Sequence, residues 1–275
     1  MRLRKSALLR QLQERNATDR LNLKFHKALM NDELPLSMLP RLSARRDLME
    51  RLDPGHPGWV VLYQYSQIAD YMPSFDVIGT DPYPIPRPAA MASMWTRATR
   101  KGTMGLKPLW QVPQAFDWAA YRKTPEEKAK CRAPTEAELR SMCWQCIACG
   151  ANGLVMYSWF DLWKEPNGVP FAQRWAEVCR VAQEIKDQFP VLLAADPAPS
   201  VSGAPDELAV RTWGKDGAAY VLVVNTTGKP FTASLTLSEP FAAASAVFGP
   251  APKLVGTSLN LALAPLEPAL VRLTR

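Results

Sequence analysis

Four apolar runs in this sequence end in side chains suited to holding a sugar. They are Trp59-Val60-Val61-Leu62-Tyr63-Gln64-Tyr65, Phe75 to Tyr83, Lys107 to Trp118 and Gly150 to Asp161. Each reads as a buried strand that runs into Tyr, Trp, Gln or Asp. Aromatic rings stack on the apolar faces of sugar rings, and an amide offers hydroxyls both a donor and an acceptor. A carboxyl group can move a proton in a reaction. Tyr83, Trp118, Tyr157 and Trp159 supply the rings, Gln111 and Gln114 the amides, and Asp81 and Asp161 the carboxylates. In a parallel α/β barrel the carboxyl ends of the strands form the binding face. Together these residues predict a carbohydrate cleft. Each also has a plainer role, because Asp81-Pro82 is a turn pair and any of the rings can be core.

The elements between these runs are legible by periodicity. Leu36 to Leu52 has helical spacing, and Asp53-Pro54-Gly55-His56-Pro57 breaks it. Helices are predicted around Met91 to Arg100, from Thr135 to Ala148 and from Phe171 to Phe189. Thr135 with Glu138 three residues on forms a capping box. Trp175, Val178, Val181 and Ile185 fall on one face of the last helix. Strands alternating with helices imply βαβ units and a parallel sheet. Composition shifts near Pro190, and Ala194 to Ser200 reads as a linker. Short alternating runs follow at Leu208 to Trp213, Tyr220 to Asn225, Phe231 to Leu237, Ala246 to Phe248 and Ala269 to Leu273, with a Lys215-Asp216-Gly217 turn. They predict a small all-β sandwich with a structural role. The expected organisation is a basic helical segment over 1–30, a barrel domain over 31–192 and the sandwich over 193–275.

Asp76-Val77-Ile78-Gly79-Thr80-Asp81-Pro82-Tyr83-Pro84 and Gly150 to Asp161 carry a family likeness. From about Asn31 to Arg275 the chain resembles the C-terminal half of a (β/α)8-barrel glycoside hydrolase with an appended β-sandwich. The resemblance implies an α/β fold, a partial TIM-type barrel followed by a small sandwich. It also implies hydrolysis of an O-glycosidic bond by paired carboxyl groups. In such hydrolases the proton donor commonly follows the fourth strand as Asn-Glu or Asp-Glu. Asn31-Asp32-Glu33 resembles that element, which makes Glu33 the implied donor, Asp81 the second carboxylate and Asp161 a reserve behind it. The later strands would be the fifth to the eighth.

Three departures from the family pattern bear on this. Only residues 1–32 precede Glu33, whereas three strand–helix units need roughly 100, so a truncated or half barrel is expected. Leu21 to Met30 is broken by Lys24, His26 and Lys27 and reads as helix rather than strand. Many retaining members carry a Glu at the end of the seventh strand, where this chain has Gln111 and Gln114. The second weakens the match at Glu33; the missing first half and the absent seventh-strand Glu favour the competing reading, a non-catalytic carbohydrate-binding or structural remnant.

The net charge of +7 is concentrated in the first 50 residues, where Arg and Lys alternate with Leu at helical spacing. No basic run elsewhere is interleaved with aromatics, so a solvated helical face is favoured over nucleic-acid binding. No apolar run approaches the roughly 20 residues that span a bilayer. Met1 to Arg10 lacks the apolar core of an export signal. The spacing Cys143-x-x-Cys146-x-x-Cys149 matches part of an iron–sulfur ligand run, but Gly150 follows and no fourth cysteine lies beyond it there. On a capped helix such cysteines are expected to pack. The implied partner is a carbohydrate, with no metal, no cofactor, no nucleic acid and no membrane; the oligomeric state stays open.

Overall fold

A computed structural model describes residues 29–275. The four apolar runs and one further segment form parallel strands in chain order. Strands β1 (Leu29–Asp32), β2 (Trp59–Leu62) and β3 (Val77–Thr80) make one sheet. A parallel bridge from Ile78 to Leu109 continues it to β4 (Trp110–Gln111), which pairs with β5 (Gly153–Leu154). This is a partial (β/α) barrel. Its strands are short continuous apolar runs because both faces are covered. Val60, Leu62 and Ile78 pack outward on Leu42, Ile68, Tyr71 and Phe75, while Trp59, Val61, Val77 and Val112 form an inner layer.

The predicted 1–30 helical segment falls largely outside the described residues. Where it can be compared, Leu29 and Met30 open β1 instead of closing a helix. The parallel ladder to β2, in the register Leu29 to Trp59 and Asp32 to Val61, overrides the local pattern.

The covering helices are α1 (Leu39–Leu52), α2 (Met91–Gly102), α3 (Glu136–Ala148), α4 (Trp159–Trp163), α5 (Phe171–Asp187) and α6 (Phe189–Leu192). The capping box at Thr135 and Glu138 opens α3 as expected. That helix is buried nearly all round, since it packs on α2, on α5 and on the β domain. Its cysteines are core residues. Cys143 sits with Trp144, Val178 and Val181, whereas Cys146 sits in a separate cluster with Ile85, Ala92 and Met142. Burial pushes the Cys146 thiol up to about 12 and holds Cys143 well above its ordinary value.

The C-terminal part is a sandwich of two four-stranded antiparallel sheets. One has the order β10-β13-β8-β7 and the other β11-β12-β9-β6. Here β6 is Val201–Ser202, β7 Leu208–Lys215, β8 Ala218–Asn225, β9 Phe231–Leu237, β10 Ala243–Phe248, β11 Lys253–Val255, β12 Ser258–Leu263 and β13 Pro268–Thr274. Val221, Val223, Leu235, Leu261 and Val271 fill the space between the sheets. The opposite face of the first sheet, through Trp213, Leu222, Val224 and Leu270, shares a core with α3 and α5. Barrel and sandwich are joined by that core.

Candidate functional site

The ends of β1 and β3 carry the two leading carboxylates. The ladder pairs Asp32 with Val61, and Val61 with Gly79, so β1 and β3 end at nearly the same level. Glu33 and Asp81 each follow directly, with one strand between them. Neighbouring strands are about 4.8 Å apart, which sets their backbones roughly 9–10 Å apart. Thr80 faces outward, its hydroxyl 3.1 Å from that of Thr99 on α2. Strand alternation therefore assigns Asp81 to the inner side with Val77. Asp81 is 6% exposed. Gly79 shares that side, where a Cβ would come 2.2 Å from the Trp110 carbonyl oxygen.

Glu33 donates its backbone N–H to the Val61 carbonyl at 2.9 Å and then turns the chain with φ 54°. Left-handed backbone is uncommon for a residue with a side chain and concentrates at functional positions. Its side chain is solvent-exposed.

Two residues beyond Asp81, Tyr83 enters an aromatic cluster centred on Phe116. That buried ring meets Tyr83, Trp118, Tyr121 and Tyr157 edge-on, at centroid distances of 5.0, 5.0, 5.4 and 5.7 Å. Tyr83 and Tyr157 stack at 5.6 Å with 29° between planes. The Trp118 indole N–H donates to the Tyr83 carbonyl at 3.3 Å. Edge-to-face pairs of this kind add to burial and hold ring positions. Tyr157 and Tyr121 keep part of their surface open to solvent.

Asp161 organises the rim of this cluster. It accepts from the Tyr121 hydroxyl at 2.7 Å, from the Lys164 ammonium at 2.5 Å and from the Ser158 hydroxyl. Ser158 in turn caps α4. Burial alone would raise the Asp161 carboxyl, but the bonds from Lys164, Ser158 and Tyr121 outweigh it and hold it below the usual range. Burial, with bonds to Tyr157 and Asp161, pushes the Tyr121 phenol well up. Lys164 lies 4.8 Å from the Tyr121 ring centroid, a cation–π contact.

The two glutamines are placed differently from the sequence expectation. Both are fully buried. Gln111 faces α2, where its Oε1 accepts from the Thr80 N–H at 2.6 Å and hydroxyl at 3.0 Å and its amide donates to Thr96. Gln114 clamps the Ile85 peptide, accepting from its N–H at 2.8 Å and donating to its carbonyl and to that of Phe116. Their amides replace backbone ladder partners where the strands are short, and so are not presented to a ligand. Trp159 also stands apart, because its ring pairs are with Phe160, Trp163 and Phe171. Phe116, Tyr121 and Lys164 escaped the sequence reading. The spacing of Phe116, Trp118 and Tyr121 after a strand was the available signal.

The fold defines a class, a partial (β/α) barrel with an appended antiparallel β domain. The chain superposes on an α-amylase from Anoxybacillus with a TM-score of 0.54 and 10% identity, covering 88% of this chain and 56% of that one. It superposes on the α-amylase of Geobacillus thermoleovorans, solved with acarbose, with a TM-score of 0.54 and 12% identity, covering 88% and 58%. At such identities the likeness is one of fold, and the chain spans a little over half of either enzyme. No family model matches the chain. A stretch of 58 residues is 45% identical to aspartate–ammonia ligase of Bacteroides fragilis, spanning 21% of this chain and 17% of that ligase. A match so local assigns no family.

Proposed function

We propose that this chain hydrolyses an O-glycosidic bond of a carbohydrate held at the carboxyl ends of β1 to β5. Glu33 is the proton donor and Asp81 the second carboxylate. The observation that supports this most is the register, which brings the backbones of Glu33 and Asp81 to nearly one level with a single strand between them, the left-handed turn at Glu33 breaking the alternation that would otherwise set it outward with Leu62. In the reaction Glu33 protonates the glycosidic oxygen as the bond to the anomeric carbon breaks. Asp81, from the other side of the sugar, takes a proton from the water that attacks the oxocarbenium-like centre. Tyr157, partly open to solvent, offers a ring surface in this cluster, and Asp161 keeps Tyr121 in place. A sugar ligand is in keeping with the α-amylase of similar fold from Geobacillus thermoleovorans, which was solved with acarbose.

A second reading, carbohydrate binding without hydrolysis, draws on Gln111 and Gln114, which stand where many retaining relatives carry a nucleophilic Glu. The test is reducing-sugar release from a glycan panel, together with direct binding, for the chain, Glu33→Gln and Asp81→Asn. Release that disappears in both variants while binding persists supports hydrolysis. Binding with no release from any glycan supports the second reading.

A further inference from the structure

Where the barrel and the sandwich meet they enclose a cavity of about 270 Å³. That is close to the lower end of the roughly 300–1,000 Å³ of small-molecule sites, which favour such interfaces. Its walls are mostly apolar: Leu154 of β5, Met156 just beyond it, Ile185 of α5, Leu192 of α6 and Trp213 of β7. Leu154 and Met156 pack on the core shared with the helices and the sandwich, whereas Val155 between them packs on the inner layer of the barrel. The cavity therefore lies outside the barrel wall, apart from the strand-end cluster. Phe189 and Leu193 also line it and are 47% and 77% exposed, so it opens to solvent along α6.

One charged group lines this apolar space. Arg211 of β7 shares a strand face with Ala209 and Trp213. Its guanidinium stands 4.9 Å from the Trp213 ring centroid. Nη1 donates to the Ile147 carbonyl, near the end of α3, at 3.1 Å. No carboxylate among the described residues pairs with Arg211, and burial together with the nearby charge of Arg100 pulls its pKa below the ordinary value. Both effects act against the charged form, and a bound anion relieves both. Asn152 lines the same cavity. Its Oδ1 accepts from the Leu109 N–H at 3.1 Å, and its amide N–H2 adds a donor.

A planar guanidinium matches a carboxylate through two parallel hydrogen bonds. Apolar walls favour a hydrocarbon body, since burying it releases surface from water. We propose that this cavity binds an amphipathic monocarboxylate, its carboxylate on Arg211 and its hydrocarbon part against Leu154, Met156, Ile185 and Trp213. The site is independent of what occupies the strand-end cleft.

The test is isothermal titration calorimetry of the chain with octanoate, octan-1-ol, acetate and inorganic phosphate, the first two below the concentrations at which they aggregate. Two variants separate the parts of the site. Arg211→Met keeps an apolar stem beside Trp213 and removes the charge. Ala182→Phe fills the cavity from an exposed position on α5 and leaves Arg211 in place. Melting curves of both variants are recorded alongside. Expected is one site for octanoate, about tenfold or more tighter than for octan-1-ol. That preference disappears in Arg211→Met, and Ala182→Phe weakens both ligands. Acetate and phosphate give no saturable heat. If Arg211→Met does not fold, octanoate against octan-1-ol on the parent chain decides the role of the charge. Equal affinity for the acid and the alcohol, octanoate binding unchanged in Ala182→Phe, or no octanoate binding overturns the inference. Phosphate or acetate bound as tightly as octanoate shows an anion site that ignores the apolar walls, and overturns it as well.

Discussion

Replacing Gln111 with leucine separates a structural amide from a ligand-binding one. In the folded chain the Gln111 Oε1 is the acceptor for the Thr80 N–H at 2.6 Å. The hydroxyl of Thr80 has an alternative in Thr99 at 3.1 Å, and that of Thr96 already donates to the Ala92 carbonyl at 2.7 Å. Gln111→Leu therefore orphans one buried group, the Thr80 N–H, which costs about 1–3 kcal/mol. The two further bonds contribute about 1 kcal/mol each, and the buried leucine side chain recovers a part. The net expectation is a loss of about 2–4 kcal/mol. For a domain of this size that lowers Tm by roughly 5–15 °C. Thermal unfolding by circular dichroism reads the stability, and glycan titration below the melting transition reads the site. The reasoning fails if Gln111→Leu melts like the parent chain and yet binds glycan more weakly.

Asp161 and the cysteines give two further expectations. The Asp161 carboxyl titrates lower in the folded chain than its unfolded value of about 3.9. The stability it contributes is thus complete above about pH 4 and is lost as pH falls through the lower folded value. Asp161→Asn should show a smaller drop in Tm than the parent between about pH 4 and pH 2, and an equal drop would contradict the assigned partners. In the native chain a thiol reagent should label the exposed Cys179 and leave the buried Cys143 and Cys146 unmodified until denaturant is added. Mass spectrometry of labelled peptides checks this.

The barrel strands were legible because both faces are buried, which leaves continuous runs such as Val60-Val61-Leu62. The α3 capping box and the linker before β6 were legible because their residue types have one common use each. Strand β1 was hidden, since its pairing with β2 lies in tertiary contact and Lys24, His26 and Lys27 beside it read as helix. Strand β12 was missed although Leu259, Leu261 and Leu263 alternate with polar or small residues, because it lacks β-branched residues. At the site, residue type at a strand end predicted where Asp81, Tyr83 and Tyr157 would lie. It did not predict which side Gln111 would face, for that depends on strand parity relative to Thr80 and α2. The hub role of Phe116 likewise depends on four rings arriving from three loops.

The most direct test of the account is the leaving-group dependence of hydrolysis in Glu33→Gln. A proton donor matters most when the leaving group is a sugar hydroxyl and least when it is an acidic phenol. Glu33→Gln should lose about 10²–10⁴-fold on a glycan but far less on an aryl glycoside with an acidic leaving group. Equal loss on both substrates, unchanged rates, or a parent chain that cleaves neither would contradict it.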